Sequence, residues 1–234
     1  MSDRTPEEKA RVISSALPGS LPCVPPLYPP PDMDLIQGFT SKLTASPGES
    51  IEFKVSTSAN AYDVRFYRIG RRVQEIDSVN GLRGSRKPLK DLPWEGCEWE
   101  TDFSWSIPAG TPTAFYTAEL ADTKGSSFHI PFVVKPPPEK RSRIAVLAST
   151  NTWNAYNGWG GSSSYCAEQP RVTSLDRPMT SCRPAGQGRS HLVRGEGWIL
   201  DWLHDAGYEH DLYGDLDLHA GWDWLSTYPV LIIS

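Results

Sequence analysis

Short runs in which apolar and polar residues alternate fill the chain between residues 34 and 136. Ile51–Val55 (Ile-Glu-Phe-Lys-Val) alternates strictly. Three further runs keep nearly the same period, at residues 64–69, 115–120 and 128–134. A period of two residues predicts strands that bury one face, and turn signals such as Ser46-Pro-Gly-Glu49 separate the runs. Strands at this spacing predict an antiparallel β-sandwich of the immunoglobulin-like type.

A different pattern begins after the segment Pro136-Pro-Pro-Glu-Lys-Arg141, which marks a domain boundary. Residues 143–148 predict a buried strand. Apolar residues between Trp198 and Ala206 lie on one face of a helix that Gly207 would end. The next elements predicted are a strand at 208–213, a helix at 219–227 and a strand at 230–233. A β-α-β-α-β order predicts a parallel sheet layered by helices.

Three domains follow from these patterns. Residues 1–33 predict a helix at 5–16 followed by a proline-rich strap, residues 34–136 the sandwich, and residues 143–234 the α/β domain. The last predicted strand is wholly apolar and the sequence ends directly after it. Such strands are usually buried in parallel sheets, so we expect an α/β domain that is truncated at its C-terminus or belongs to a larger assembly.

Composition narrows the class of protein. The 234 residues are 38% hydrophobic and carry a formal net charge of -5, which indicates a globular chain and argues against nucleic acid as a partner. No apolar run reaches the ~20 residues of a membrane-spanning helix, and no secretion signal is visible. The four cysteines are too scattered for a disulfide framework. These features predict a cytoplasmic protein with no membrane partner.

The segment from Ser149 to Tyr165, rich in Asn, Tyr, Trp and Gly, is the best candidate for a functional loop. It follows the first predicted strand of the α/β domain, and α/β domains build their sites at the carboxyl ends of strands. Its polar groups and aromatic rings suit a ligand pocket. The alternative is a loop that only packs on the sandwich.

A second candidate is the cluster Asp215-Leu-Asp-Leu-His219. If this segment is extended, Asp215, Asp217 and His219 share one face, and carboxylates with an imidazole suit several metals. Residues 196–234 also contain eight acidic residues and no Lys or Arg. The alternative is a helix N-terminus at which acidic side chains cap free N–H groups.

Several segments of the chain, taken in their order along the sequence, resemble segments of the large (beta) subunit family of N,N-dimethylformamidase. The resemblance rests on Asn151-Thr-Trp-Asn-Ala-Tyr-Asn-Gly-Trp-Gly-Gly161, Ser174-Leu-Asp-Arg-Pro178, Asp215–His219 and Tyr228–Ser234. The earlier segments 36–39, 46–56 and 64–70 are similar to the family's β-sandwich, so the resemblance covers residues 34–234.

The resemblance implies a hydrolase of small amides, with a glutamine-amidotransferase-like α/β fold in the C-terminal domain. It further implies an iron ion held by two tyrosines and one glutamate, an iron-activated water, and assembly with a small helical subunit and as a homo-oligomer. Tyr156 is the best match to the first tyrosine ligand, and Tyr165 is the candidate for the second. Asn154 and His219 are the candidate catalytic residues.

The glutamate ligand of the family lies in a Gly-His-x-Glu-Tyr-Trp segment, which this sequence does not contain. We therefore expect the iron site to be incomplete in this chain. The alternative function is a non-catalytic binding module, in which the sandwich and the aromatic loop recognise a partner or a glycan, or an inactive fragment. The fold class expected is thus α+β, with a sandwich followed by an incomplete α/β domain.

Overall fold

The computed structural model describes residues 30–137, 139, 141–165, 172–180 and 196–233. The helix predicted at 5–16 lies outside the described residues, and so does the proline-rich strap apart from Pro30 and Pro31.

Two sheets occupy the described chain before residue 135. Their strands are β1 (Gln37–Thr40), β2 (Thr44–Ala45), β3 (Ser50–Ser56), β4 (Ala61–Ile69), β5 (Gln74–Arg83), β6 (Phe103–Ser106), β7 (Ala114–Asp122) and β8 (Ser127–Val134). One sheet has the order β1-β3-β6 and the other the order β2-β8-β7-β4-β5. All neighbouring pairs are antiparallel except β2 with β8, which is parallel.

The core lies between these two sheets. Phe53 of β3 stacks on Phe103 with ring centroids 4.8 Å apart, and it meets Phe66 of β4 and Phe132 of β8 edge-on. Along β3 the residues Ile51, Phe53 and Val55 are buried while Ser50 and Glu52 are exposed. In β3 the alternation read from the sequence therefore places one face of the strand in the apolar core, as predicted.

A parallel sheet follows. It consists of β9 (Ile144–Ala148), β10 (His210–Gly214) and β11 (Val230–Ile233), in the order β10-β9-β11. Ile144 is in register with both His210 and Val230. Helices α1 (Thr150–Ala155) and α2 (Gly197–Asp205) lie between β9 and β10 in the sequence. The described chain is thus a mixed α+β structure, mostly strands, and the parallel sheet predicted from the element order is confirmed.

The end of α2 agrees with the sequence prediction. Gly207 has a positive φ of 75° and donates its N–H to the carbonyl of His204. The next residue, Tyr208, donates to the carbonyl of Leu203. These two bonds form a Schellman motif, which requires the left-handed backbone that glycine adopts at little cost.

The helix predicted at 219–227 is wrong. The structure has two short 3-10 helices instead, Asp215–Ala220 and Asp223–Thr227. They are separated at Gly221, whose φ of 122° is incompatible with a continuous helix. Because Asp215–His219 is helical, the extended arrangement of its two aspartates and histidine is wrong as well. The strand predicted at 208–213 begins two residues later, at His210, because Tyr208 belongs to the cap of α2.

The apolar strand β11 is largely uncovered in the described structure, with Val230 45% exposed and Ile233 69% exposed. The reason is topological, because β9 lies in the centre of the three described strands and β11 lies at one edge. The expected truncation of the α/β domain stays a prediction.

The sandwich and the parallel sheet share an interface. Phe115 of β7 and Val133 of β8 pack in one apolar cluster with Val146 of β9 and Leu212 of β10. Thr113 accepts a hydrogen bond from the N–H of Leu212 at 2.9 Å. Within the described ranges, no helix has the length and apolar character needed to cross a bilayer.

Candidate functional site

In the strand order β10-β9-β11, the strand β9 lies in the centre, and the next two strands of the chain lie on opposite sides of it. The strand order therefore reverses at β9, which makes it a topological switch point. In open α/β sheets, ligands gather outside the carboxyl ends of strands at such a switch point. Ser149 and Thr150 directly follow β9, and Asp215 directly follows β10. The loop selected from the sequence, residues 149–165, therefore begins at this edge of the sheet.

The N-terminus of α1 is capped from β10. Asp215 accepts hydrogen bonds from the N–H of Asn151 at 3.1 and 3.2 Å and from the hydroxyl of Thr150. Thr150 is fully buried, so its hydroxyl needs such a partner. The alternative interpretation of the acidic cluster predicted carboxylates that cap a helix N-terminus, and Asp215 has this role for α1.

The other members of that cluster point to different tasks. Asp217 accepts hydrogen bonds from the N–H of Gly214 at 2.9 Å, from Thr44 at 2.8 Å and from the Lys135 ammonium at 2.9 Å. It thus ties the 3-10 helix to the sandwich. His219 is exposed at the end of the same helix. Among the described side chains, no three of the types His, Cys, Asp and Glu are grouped to hold a metal ion.

Glu196, which the sequence reasoning missed, fixes α1 from the opposite side. This buried carboxylate accepts a hydrogen bond from the N–H of Ser149 at 2.7 Å, and from the indole N–H of Trp153 at 2.9 and 3.1 Å. Trp153 is fully buried, and its ring lies 5.6 Å from that of Phe115. The first turn of the loop is therefore anchored to α2 and to the sandwich before the tyrosines are reached.

The structure brings together the two tyrosines that were predicted as metal ligands. Tyr156 follows α1, and the N–H of Ser164 donates to the carbonyl of Ala155, which returns the loop to its starting point. The rings of Tyr156 and Tyr165 consequently lie 4.2 Å apart at an angle of 32°. Tyr156 is 37% exposed and Tyr165 is 53% exposed, so a ligand can approach both.

The pair has the donor chemistry of a site for a hard cation. A hydrogen bond with Tyr165 raises the pKa of Tyr156, and a charge on Tyr165 would repel a charge on Tyr156. Two phenol oxygens on neighbouring exposed side chains are the kind of donor that hard cations bind, so the residues present fit the predicted iron in donor type. The iron itself stays a prediction.

Asn154, a predicted catalytic residue, is buried and engaged at both ends of its amide. Its nitrogen donates to the carbonyl of Thr173 at 3.0 Å, and its side-chain oxygen accepts from Arg177 at 3.2 Å. These bonds hold the loop to residues 173–177. A catalytic role for Asn154 stays a prediction, as does that of the exposed His219.

Arg177 is the functional residue that sequence reasoning most clearly missed. It is 1% exposed, and burial lowers its pKa to about 10, so the guanidinium remains charged at neutral pH. Among the described residues it donates hydrogen bonds to the carbonyls of Asn154, Asn157, Trp159, Ser162 and Ser174 and to the Asn154 amide oxygen. The segment Ser174–Pro178 had been noted only as part of the family resemblance. The signal available in the sequence was the charged pair Asp176-Arg177, which follows the Gly- and Ser-rich loop.

The other side of the loop is packed on the sandwich. Trp159 is buried and donates its indole N–H to Gln37 at 2.7 Å. Its ring meets that of Trp99 edge-on, with centroids 6.0 Å apart. The tryptophans of the loop therefore pack on the core, as the alternative interpretation expected, while its tyrosines are exposed to solvent. A functional role for the loop stays a prediction.

Comparison with known proteins agrees with these features. Residues 59–234, more than half of the chain, match the family model described as N,N-dimethylformamidase beta subunit-like, C-terminal. The chain is 26% identical over 179 residues to the N,N-dimethylformamidase beta subunit of Paracoccus aminophilus, and 26% identical over 181 residues to that of Alcaligenes sp. Each alignment covers 59% of this chain and 23% of the relative.

Among solved structures, a Paenibacillus cycloisomaltooligosaccharide glucanotransferase aligns with 50% of this chain and 16% of its own, with a TM-score of 0.27 at 16% identity. That similarity is too low to support any argument about the fold. The family model is different, because it spans both the sandwich strands from β4 onward and the whole α/β part. The chain belongs to the N,N-dimethylformamidase beta subunit-like, C-terminal family.

Proposed function

We propose that this chain contributes the tyrosine half of an iron site in a hydrolase of small, uncharged amides. In this reaction the C–N bond of the amide breaks, a C–O bond to a water oxygen forms, and the nitrogen leaves with a proton as an amine. The observation that carries the proposal is the Tyr156–Tyr165 pair, with rings 4.2 Å apart on the loop that leaves the switch-point strand β9. The names of the two relatives support the same reaction class.

Tyr156 and Tyr165 would hold the ion through their phenol oxygens, since both side chains reach solvent. When bound, iron supplies Lewis acidity, which polarises an amide carbonyl and makes a water molecule more acidic. The family's third ligand belongs to a segment that the 234 residues do not contain. We therefore expect this chain to bind iron weakly, with two protein donors.

The remaining residues of the loop have supporting tasks in this proposal. Trp153 and Trp159 are buried and keep the loop fixed against the core, so the tyrosines need not order on binding. The guanidinium of Arg177 is occupied by backbone carbonyls, which leaves it unsuited to donate a proton to a substrate.

The alternative of a glycan-binding module receives less support. A stacking platform for a sugar requires exposed aromatic faces, whereas the two tryptophans in the described part of the loop are buried. The exposed rings there are tyrosines that face each other at 4.2 Å. This arrangement suits a shared ion between two hydroxyls better than an open stacking surface.

Ferric iron titrated into the purified chain tests the metal site. Phenolate bound to ferric iron absorbs visible light, so we expect a weak-binding visible band that disappears in Tyr156→Phe and in Tyr165→Phe. Tyr208→Phe is the matched control, because Tyr208 is equally exposed but lies after α2. A band that survives in both loop variants would refute the assignment. Tight stoichiometric binding would contradict the expectation of an incomplete site.

Hydrolysis is tested on the same samples. The iron-loaded chain is incubated with N,N-dimethylformamide, with and without acetate as a substitute for the third carboxylate, and dimethylamine is followed by proton NMR. Because the third ligand is missing, we expect the iron-loaded chain alone to be inactive. With acetate we expect slow release that requires iron and is lost in Tyr156→Phe. A full visible band with no release of amine even in the presence of acetate would contradict the proposed reaction.

A further inference from the structure

The two candidate ligands belong to one loop but lie nine residues apart in the sequence. Their contact therefore depends on how the loop between them is folded. One hydrogen bond closes the loop, from the N–H of Ser164 to the carbonyl of Ala155 at 3.1 Å. A single backbone hydrogen bond adds little net stability, so further contacts are needed to fix the path of the loop between the two rings.

The guanidinium of Arg177 supplies the additional constraint. Its Nη2 donates to the carbonyls of Asn154 at 3.4 Å and Asn157 at 3.1 Å, which lie on either side of Tyr156. Its Nη1 donates to the carbonyls of Trp159 at 2.7 Å and Ser162 at 3.1 Å, which lie on the path to Tyr165. One side chain thus fixes four backbone positions along the loop.

Arg177 is itself held on the sandwich. Its Nε donates to the carbonyl of Ser174 at 3.0 Å, and the N–H of Ser174 donates to the carbonyl of Trp94 at 2.8 Å. The preceding residue, Asp176, accepts from the ammonium of Lys54 in β3 at 2.9 Å. Neighbouring residues of one short segment therefore face opposite ways, with Asp176 towards the sandwich and Arg177 towards the tyrosine loop.

Arginine is the residue type that this task requires. Its planar fork carries five N–H donors in fixed directions, so it can bind several carbonyls at once, whereas lysine offers a single ammonium. The hydrogen-bond partners of Arg177 in the described structure are carbonyl or amide oxygens. A buried guanidinium is costly to desolvate, so its hydrogen bonds to these oxygens must offset that cost.

We propose that Arg177 is a positioning residue that sets the separation of Tyr156 and Tyr165, and thereby the affinity of the iron site. It acts through its hydrogen bonds to the backbone on both sides of Tyr156. The link to iron rests on the proposed function, whereas the link between Arg177 and the spacing of the tyrosines does not.

The spacing is measured on the metal-free chain. Photo-excited tris(bipyridyl)ruthenium with persulfate as electron acceptor removes one electron and one proton from each of two neighbouring phenols, and the two radicals join in a carbon–carbon bond. In the wild-type chain we expect an intramolecular dityrosine between Tyr156 and Tyr165, identified by its fluorescence and by mass spectrometry of peptides. Tyr165→Phe gives the background level.

Arg177→Gln removes the fork, and Arg177→Lys keeps the charge without the fork. We expect both to lower the dityrosine yield to the Tyr165→Phe background and to weaken ferric iron binding by roughly 10–100-fold, as is typical when a supporting group of a metal ligand is lost. Arg83→Gln is the matched control, because Arg83 is an exposed arginine on β5. Circular dichroism and the melting temperature establish that each variant is folded, and Arg177→Lys serves if Arg177→Gln does not fold.

The outcomes separate the two proposals. Wild-type dityrosine yield in a folded Arg177→Lys chain would overturn the positioning role. Loss of dityrosine in the Arg177 variants, together with no visible iron band in the wild-type chain, would leave the positioning role intact and contradict the metal site. If the Arg177 variants lose both the dityrosine and the visible iron band, while the wild-type chain and Arg83→Gln keep both, the full proposal is supported.

Discussion

The sandwich and the tyrosine loop are stabilised by different kinds of interaction. In the sandwich, Phe53 touches Phe66, Phe103 and Phe132, and these rings are part of one continuous cluster that spans both sheets. In the loop, by contrast, four backbone carbonyls converge on the single guanidinium of Arg177. The core of the sandwich is therefore shared among many apolar side chains, while the path of the loop depends on a few directional hydrogen bonds, four of them from one side chain.

The difference follows from the physics of the two interactions. Apolar burial is proportional to area and has no direction, so neighbouring side chains compensate in part for each other. Hydrogen bonds to a buried cation are directional, and a carbonyl left without its donor is costly. We therefore expect changes in the sandwich to alter the global free energy of unfolding, and changes around the loop to alter local geometry first.

The largest effect is expected from Phe53→Ala. This change leaves a cavity at the centre of the sandwich and should lower the free energy of unfolding by about 3–5 kcal/mol. Denaturant-induced unfolding measures it. Phe128→Ala is the control, because Phe128 is only partly buried at the margin of the same cluster and should cost clearly less. Equal losses in the two variants would contradict a core centred on Phe53.

The next largest effect is expected from Gly160→Ala. Comparison with Gly125→Ala separates the packing of the loop on residues 93–94 from the strain of a left-handed backbone. Gly160 and Gly125 have nearly the same positive φ, 87° and 85°. A Cβ at Gly160 would lie 2.9 Å from the Cβ of Pro93, whereas nothing lies within 4 Å of one at Gly125. Both alanine variants carry the strain of a left-handed backbone, about 1–2 kcal/mol, and only Gly160→Ala adds a clash.

We therefore expect the loss of unfolding free energy to be greater for Gly160→Ala, by roughly another 1 kcal/mol. Its hydrogen exchange should also rise in residues 157–163, which Gly125→Ala should leave unchanged. If both variants lose the same stability and exchange alike, the packing of the loop on residues 93–94 is not as described.

A smaller effect is expected at the cap of α1. Asp215→Ala removes the acceptor of the Asn151 N–H and of the buried Thr150 hydroxyl, and should cost about 1 kcal/mol. Asp223→Ala is the control, since Asp223 is an exposed acid that also begins a 3-10 helix. Thermal unfolding compares the two. If Asp215→Ala is as stable as the control, the cap does not support α1.

The smallest effect is expected from the ion pair that joins the two regions. Lys54→Met breaks the ion pair with Asp176, in which the Lys54 side chain is 17% exposed and the Asp176 side chain is 36% exposed. This change should lower the free energy of unfolding by about 1 kcal/mol. Lys42→Met breaks the more exposed pair with Glu49 and should cost less than about 0.5 kcal/mol. Because salt screens the exposed pair more strongly, the difference between the variants should persist at high ionic strength. A difference that vanishes there would show that the Lys54 pair behaves as a surface contact.

Local pattern was informative wherever one residue's neighbours in the sequence are also its neighbours in space. The alternation at 51–55 predicted the strand and its buried face, and Gly207 predicted the end of α2. It failed at 219–227, where two short 3-10 helices replace the predicted helix. It predicted the strand at 230–233, but the exposure of that strand depends on which strands lie beside β11.

The pattern of residues was enough to predict strands before residue 136, the parallel sheet, the family, and Tyr156 and Tyr165 as residues of interest. The meeting of these tyrosines, the capping by Asp215 of a helix 64 residues earlier in the chain, and the burial of Arg177 among carbonyls are seen only in the folded chain. The reason is that hydrophobic periodicity is a local property of the chain. A hydrogen bond between distant residues leaves no periodic trace in the sequence, and it exists only once the core has brought both groups to the same place.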